Sequence, residues 1–260
     1  MMKLAVNISM IFTEVPLIER FALAKAHGFS HIEIQFPYEL SIDDIQDQLK
    51  LHHLNLCLIN VPAGDLMSGG NGLAGIPGRE IAFTQAIDLA IEYALALNVA
   101  NVNILAGKQP QDADLLPCLT TLANNLKYAA FKLSEMGIQP VFEMINGTDM
   151  PRFLIQNIAQ AQEMLEVVKN PALKMQFDCY HMAMMGENVL EALKENIDQI
   201  GHIQFADCPN RHQPDTAKMN YQDIFEYLFQ STYKGYVAAE YKPTPESNQS
   251  FEWKDKYFSN

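Results

Sequence analysis

The stretch Ile138-Gln139-Pro140-Val141-Phe142-Glu143 is short and apolar, opens after Gly137 and ends on a carboxylate. A run of this length and composition reads as a buried strand. Just before it, residues 112–136 carry apolar side chains at helical spacing, the pattern of an amphipathic helix. The same pairing repeats outwards in both directions. Strands are expected at 3–8, 31–35, 55–60, 101–106, 138–143, 173–178, 202–206 and 236–240. Helices are expected at 17–27, 41–52, 77–97, 112–136, 157–168, 187–200 and 221–229. Local signals agree. Gly28 suits the end of the first helix. Ser41, with Asp43 and Asp44 behind it, suits the positive end of the second. Pro77 suits a first turn.

Strands that alternate with helices pair in parallel, because parallel neighbours need crossover connections. Eight alternations of about 32 residues, with no linker or composition break, predict a single α/β domain over residues 1–260, a closed (β/α)8 TIM barrel. The rival, an open doubly wound sheet, usually has fewer units and a glycine-rich first turn. The one dense glycine stretch, 64–75, follows the third strand and contains neither GxGxxG nor GxxxxGK[ST]. It reads as a long loop of the kind that forms lids.

Composition narrows the function. The 260 residues are 48% hydrophobic and 19% charged, enough to bury a large core. The net charge of −13 and the lack of a Lys/Arg cluster argue against a nucleic-acid partner. No apolar run approaches the roughly 20 residues of a membrane span. Asn7 interrupts the start too early for a signal peptide. Four scattered cysteines, Cys57, Cys118, Cys179 and Cys208, have no CxxC spacing and point to a reduced, cytoplasmic setting. Self-association is left open by the pattern.

In such a barrel the chemistry sits at the carboxyl ends of the strands. Read in order, those ends offer Asn7, Glu33 or Gln35, Asn60, Asn103, Glu143, Asp178, Gln204 and Glu240. Glu143, Asp178, Gln204 and Glu240 form an all-oxygen set on the last four strands. Converging carboxylates repel one another, and a divalent cation relieves that repulsion. Oxygen donors suit Mg2+ or Mn2+ better than Zn2+. His181 and Arg211 lie just beyond two of these strands, where an imidazole and a planar guanidinium could hold substrate oxygens. Lys108, after the fourth strand, would add positive charge to the same mouth.

Several stretches together resemble the hydroxypyruvate isomerase family. They are Pro62-Ala63-Gly64-Asp65, Ile76-Pro77-Gly78-Arg79-Glu80, Phe142-Glu143-Met144-Ile145-Asn146, Gln176-Phe177-Asp178-Cys179-Tyr180-His181-Met182, Gly201 to Asp207, and Glu240-Tyr241-Lys242-Pro243. That family sits among the xylose-isomerase-like barrels, beside ketose epimerases and an apurinic endonuclease. The resemblance implies that Glu143, Asp178, Gln204 and Glu240 ligate the metal, and that Glu143 and Glu240 are the acid/base pair. It also implies that His181 and Arg211 bind a small hydroxy-oxo acid; by their places at the strand ends, Asn60 and Lys108 are expected as further substrate contacts. The activity implied interconverts hydroxypyruvate and tartronate semialdehyde, or isomerises 2-oxo-tetronates one carbon longer. A ketose 3-epimerase or a non-catalytic small-molecule binder on the same barrel are the alternatives. Two departures from the family pattern stand out: Met144 where proline is usual, and His212-Gln213-Pro214-Asp215-Thr216-Ala217-Lys218 in place of a glycine-rich acidic loop.

Overall fold

The computed structural model describes residues 2–258. Eight parallel strands close on themselves in chain order. They are β1 (Lys3–Asn7), β2 (His31–Ile34), β3 (Asn55–Asn60), β4 (Asn101–Ile104), β5 (Gln139–Glu143), β6 (Lys174–Asp178), β7 (Ile200–Phe205) and β8 (Tyr236–Ala239). β1 pairs with both β2 and β8, which completes the barrel. The helices are α1 (Leu17–Ala26), α2 (Ile42–His52), α3 (Glu80–Ala96), α4 (Leu115–Glu135), α5 (Ile158–Val168), α6 (Cys179–Met184), α7 (Val189–Asn196), α8 (Tyr221–Gln230) and α9 (Glu252–Phe258). Among the described residues, no helix is long and apolar enough to cross a membrane.

The helix boundaries follow local chemistry. Ser41 caps α2 by accepting from Asp44 N–H at 3.1 Å, and Asn157 caps α5 by accepting from Gln160 N–H at 3.0 Å. Gly28 and Gly137, at φ 77° and 72°, turn the chain out of α1 and α4 in the left-handed conformation that glycine adopts without strain. Three expectations need correction. α3 starts at Glu80 and not at Pro77, because Gly78 at φ 86° breaks the first turn. Ile200 opens β7 and does not end a helix; a 3-10 turn, Ile197–Gln199, lies between α7 and the strand. The terminal α9 and the short α6 were not foreseen.

Alternation along each strand separates two interiors. Phe142, Phe177 and Phe205 face the helices and are fully buried, each side chain contributing about 1.5–3 kcal/mol of apolar burial. Phe205 stacks edge-on against Phe225 of α8 and Trp253 of α9, with ring centroids at 5.2 and 5.1 Å. The side chains pointing inside the barrel are of another kind. Ala5, Cys57 and Ala238 form a small apolar cluster. Around and above it sit Glu33, Asn101, Gln176, His202 and Gln204, all buried. The β2–β3 register slips at Ile32/Glu33 and the β6–β7 register at Met175/Gln176, next to two of these polar residues.

Candidate active site

The polar interior is held by amides bridging carboxylates. Asn7 Nδ2 donates to Glu33 Oε2 at 3.0 Å and to Glu240 Oε1 at 2.8 Å. Gln204 Nε2 bridges the same two carboxylates at 2.8 and 3.2 Å. Gln35 Nε2 adds a further bond to Glu240 Oε1 at 2.9 Å. Glu33 also pairs with His202 Nε2, whose other ring nitrogen meets Asn101 at 3.0 Å. On the opposite wall Asn103 Nδ2 donates to Glu143 Oε2 at 3.0 Å and to Asn60 Oδ1 at 3.1 Å. Each buried carboxylate so acquires neutral donors, the condition for leaving it in a low-dielectric site.

Above this layer lies a cavity of about 100 Å³. Asn60, Glu143, Gln176, His181, Arg211 and Glu240 supply its polar lining, while Phe36, Met67, Leu105 and Met150 supply the apolar side. Glu143, Asp178 and His181 each offer one ligand atom, and these atoms lie within 4.8 Å of one another, close enough to hold a metal ion. Arg211 Nη2 reaches Asp178 Oδ2 at 3.3 Å and Glu240 Oε2 at 2.5 Å, and its guanidinium lies 5.0 Å from the centroid of the Tyr180 ring. Among the described residues, Arg211 Nε is buried without a partner.

The loop that carries Arg211 is organised by one side chain. Asp207, fully buried, accepts backbone N–H groups from Cys208, Thr216, Ala217, Lys218 and Met219. Within that loop Arg211 adopts φ 58°, its N–H donating to Asp207 O at 2.9 Å and its carbonyl accepting from Lys242 N–H at 2.7 Å. The segment that departs from the family's glycine-rich pattern is thus closed by a carboxylate and backbone amides.

Charge crowding shifts these groups from their ordinary values. Burial, then the Glu240 and Asp178 charges, hold Glu143 well above the usual carboxylate range. Burial pushes Asp178 up to about 6 and Glu240 up to about 7, against the pull of Arg211 in both cases. His181 is driven well below its ordinary value by burial and by Arg211, so its ring is neutral. Burial works against the Arg211 cation, but Glu240, Asp178 and Glu143 more than offset it and raise its pKa.

The expected site residues are not all gathered. Glu143, His181, Arg211, Glu240 and Asn60 line the cavity, with Asp178 directly behind Arg211 and His181. Gln204 lies deeper. Its Oε1 accepts from Gln176 Nε2 at 2.7 Å, so it turns nitrogen and not oxygen toward the carboxylates. Lys108 stands outside the cavity lining and reaches Gly69 O of the glycine-rich loop at 3.3 Å. Gln176, His202 and Asn101 escaped the sequence reading. Each lies two residues before a flagged strand-end residue, so the strand period would have found them one layer down. Asn146 and Asp149 sit on a loop, where no period operates. A larger cleft of about 580 Å³ opens between α4 and α5, lined by residues such as Leu116, Leu119 and Val167, away from the carboxylates.

Comparison with known proteins agrees with this architecture. A model of the xylose isomerase-like TIM barrel family matches residues 21–257. A 2-oxo-tetronate isomerase from Cupriavidus necator is 36% identical, covering 99% of both chains. A hydroxypyruvate isomerase from Escherichia coli is 37% identical, covering 99% of this chain and all of its own. A solved structure described as an AP endonuclease, family 2, from Brucella melitensis superposes with a TM-score of 0.94 at 35% identity, over 99% of each chain. The chain belongs to the xylose isomerase-like TIM barrel family, in the branch that holds the hydroxypyruvate and 2-oxo-tetronate isomerases.

Proposed function

We propose that the protein is a metal-assisted isomerase that converts a small hydroxy-oxo acid to its aldehyde isomer by proton transfer between adjacent carbons, with hydroxypyruvate and tartronate semialdehyde as the model pair. The observation that carries this reading is the meeting of Glu143, Asp178 and Glu240 with Arg211 around one small buried cavity. The carboxylates fit a divalent cation of the Mg2+ or Mn2+ type: they are buried, made of oxygen donors, and mutually repelled. Glu143, Asp178 and Glu240 would hold it, with Gln204 joining once its amide turns over. When bound, such an ion neutralises the cluster and stabilises negative charge developing on substrate oxygens.

The chain's own groups do the rest. Arg211, with Nε unpaired and its backbone pinned, offers a fork for the substrate carboxylate. Glu143 and Glu240, on opposite walls, remove a proton from one carbon and deliver one to its neighbour, while the hydroxyl proton of the first carbon passes to the former carbonyl oxygen of the second, so that the protons balance. Glu240 is raised to about 7 in the metal-free site by burial, and a bound cation would hold it ionised, ready to act first as a base. Phe36, Leu105 and Met150 exclude water from the carbon being deprotonated. The test is to compare kcat/KM for hydroxypyruvate and 2-oxo-tetronates in protein loaded with Mg2+ or Mn2+. Isomerisation abolished by a chelator and restored by the ion is expected, and the better substrate sets the chain length. Absence of turnover and of solvent-deuterium exchange on both substrates would point to a binding protein instead.

A further inference from the structure

The side-chain amide of Asn146 is oriented from both ends. Its Oδ1 accepts the backbone N–H of Thr148 at 3.0 Å and of Asp149 at 2.8 Å, groups that can only donate. Its Nδ2 therefore faces the other way, donating to Asp149 Oδ2 at 3.1 Å and meeting His181 Nδ1 at 2.7 Å. Asp149 Oδ2 is itself held by the Tyr180 hydroxyl at 2.8 Å. The backbone N–H of Asn146 points at the same ring nitrogen from 3.5 Å. Two donors converge on Nδ1, so Nδ1 can only accept. A neutral imidazole that accepts at one nitrogen carries its proton on the other. That other nitrogen, Nε2, stands 3.6 Å from Asp178 Oδ2 and 3.8 Å from Glu143 Oε1, at the edge of the cavity and too far for a good hydrogen bond to either.

We infer that Asn146 is a positioning residue that fixes His181 as the Nε2–H tautomer, so that His181 acts as a hydrogen-bond donor to a substrate oxygen and not as a metal ligand. Ligation through Nε2 would require a bare Nε2 and a proton on Nδ1, which would drive Nδ1–H against both donors of Asn146. Of the three side chains close enough to share an ion, the two carboxylates qualify and the ring does not. A neutral N–H in this place strengthens its bond as the substrate oxygen gains charge, the behaviour that lowers a barrier rather than merely tightening binding.

The experiment is long-range 1H–15N correlation spectroscopy on protein labelled at histidine, metal-free and with Mg2+, at pH 8. The His181 signals are identified by their loss in His181→Gln. Wild-type protein should show a protonated Nε2 and a bare Nδ1 in both states. The double variant Asn146→Asp/Asp149→Asn sets a carboxylate against Nδ1 without a second carboxylate beside it, and should transfer the proton there. That transfer should accompany a loss of kcat/KM on the order of 10²-fold, as for removal of one preorganised donor. Asn146→Ala should give a mixture of tautomers. A wild-type ring protonated on Nδ1, or an Nε2 signal that becomes that of a metal-bound nitrogen on adding Mg2+, overturns the inference. So does a double variant that keeps Nε2–H, since Asn146 would then be merely structural. Should the double variant fail to fold, the wild-type and Asn146→Ala spectra decide. The kinetic arm rests on the isomerase reading, whereas the spectra do not. An inactive protein with Nε2–H would sink that reading and uphold the tautomer.

Discussion

The barrel mouth has two unlike halves. At or beside the carboxyl ends of the first four strands stand amides, Asn7, Gln35, Asn60 and Asn103, whereas β5, β6 and β8 present Glu143, Asp178 and Glu240 there. The amides donate across the mouth: Asn7 and Gln35 to Glu240, and Asn103 to Glu143. One half concentrates charge and the other orients it without adding any. Glu33 is the exception among the early strands, and it lies a layer below, paired with His202 and capped by Asn7 and Gln204. The division shows why a cluster of buried acids can persist here. Neutral amides and the Arg211 guanidinium partner them, which offsets part of their mutual repulsion.

The comparison can be broken most sharply on the charged side. Glu143→Gln and Glu240→Gln keep shape but remove a base, and each should lower kcat by roughly 10²–10⁴-fold in metal-loaded protein. Wild-type turnover in both variants would show that the charge is not catalytic. On the amide side, Asn7→Leu strips one donor from Glu33 and from Glu240 together. It should cost about 1–3 kcal/mol in denaturant unfolding with a smaller effect on kcat than either Glu variant, because the acid remains in place. A larger kcat loss for Asn7→Leu than for Glu240→Gln would reverse the division.

Titration separates the halves as well. Asp178 and Glu240 are raised to about 6 and about 7 in the metal-free fold, so folding favours their neutral forms. The stability this contributes is fully present below the ordinary carboxylate range near pH 4, and it is lost as pH climbs through 6 and 7. The amides do not titrate. The Tm of chelator-treated protein should accordingly fall between pH 5.5 and pH 8, with a shallower slope in Glu240→Gln. A slope unchanged by that substitution would place the crowding elsewhere. The smallest effect is expected at Lys108, which contacts the glycine-rich loop outside the cavity; Lys108→Ala should leave kcat/KM within about twofold, since an exposed contact of this kind is worth little.

Much of the fold was open to reading along the chain. Every strand announced itself as a short apolar run, and the first two helices carried terminal signals, Gly28 and Ser41, that the structure uses. What escaped has physical causes. α9 is seven residues long, too short to display a period, and it owes its place to Trp253 packing on Phe205 and Tyr241. Ile197 and Ile200 continue the spacing of α7, so the opening residue of β7 reads as the end of a helix. Within the site, residue types at strand ends marked Glu143, Asp178 and Glu240. Gln176, which also lines the cavity, and the deeper His202 and Asn101 were hidden because a polar residue inside an apolar run reads as an interruption.

Alternation and strand-end chemistry, both local properties of consecutive residues, were enough to specify a closed barrel with acids at its mouth. Hydrogen-bond polarity was not local. Which end of Gln204 faces the acids, which nitrogen of His181 holds the proton, and which carboxylates Arg211 joins depend on partners far apart in the chain, 35 residues for Asn146 and His181 and 233 for Asn7 and Glu240. An amide or an imidazole presents either a donor or an acceptor according to its neighbours, and only closure of the barrel brings those neighbours into contact.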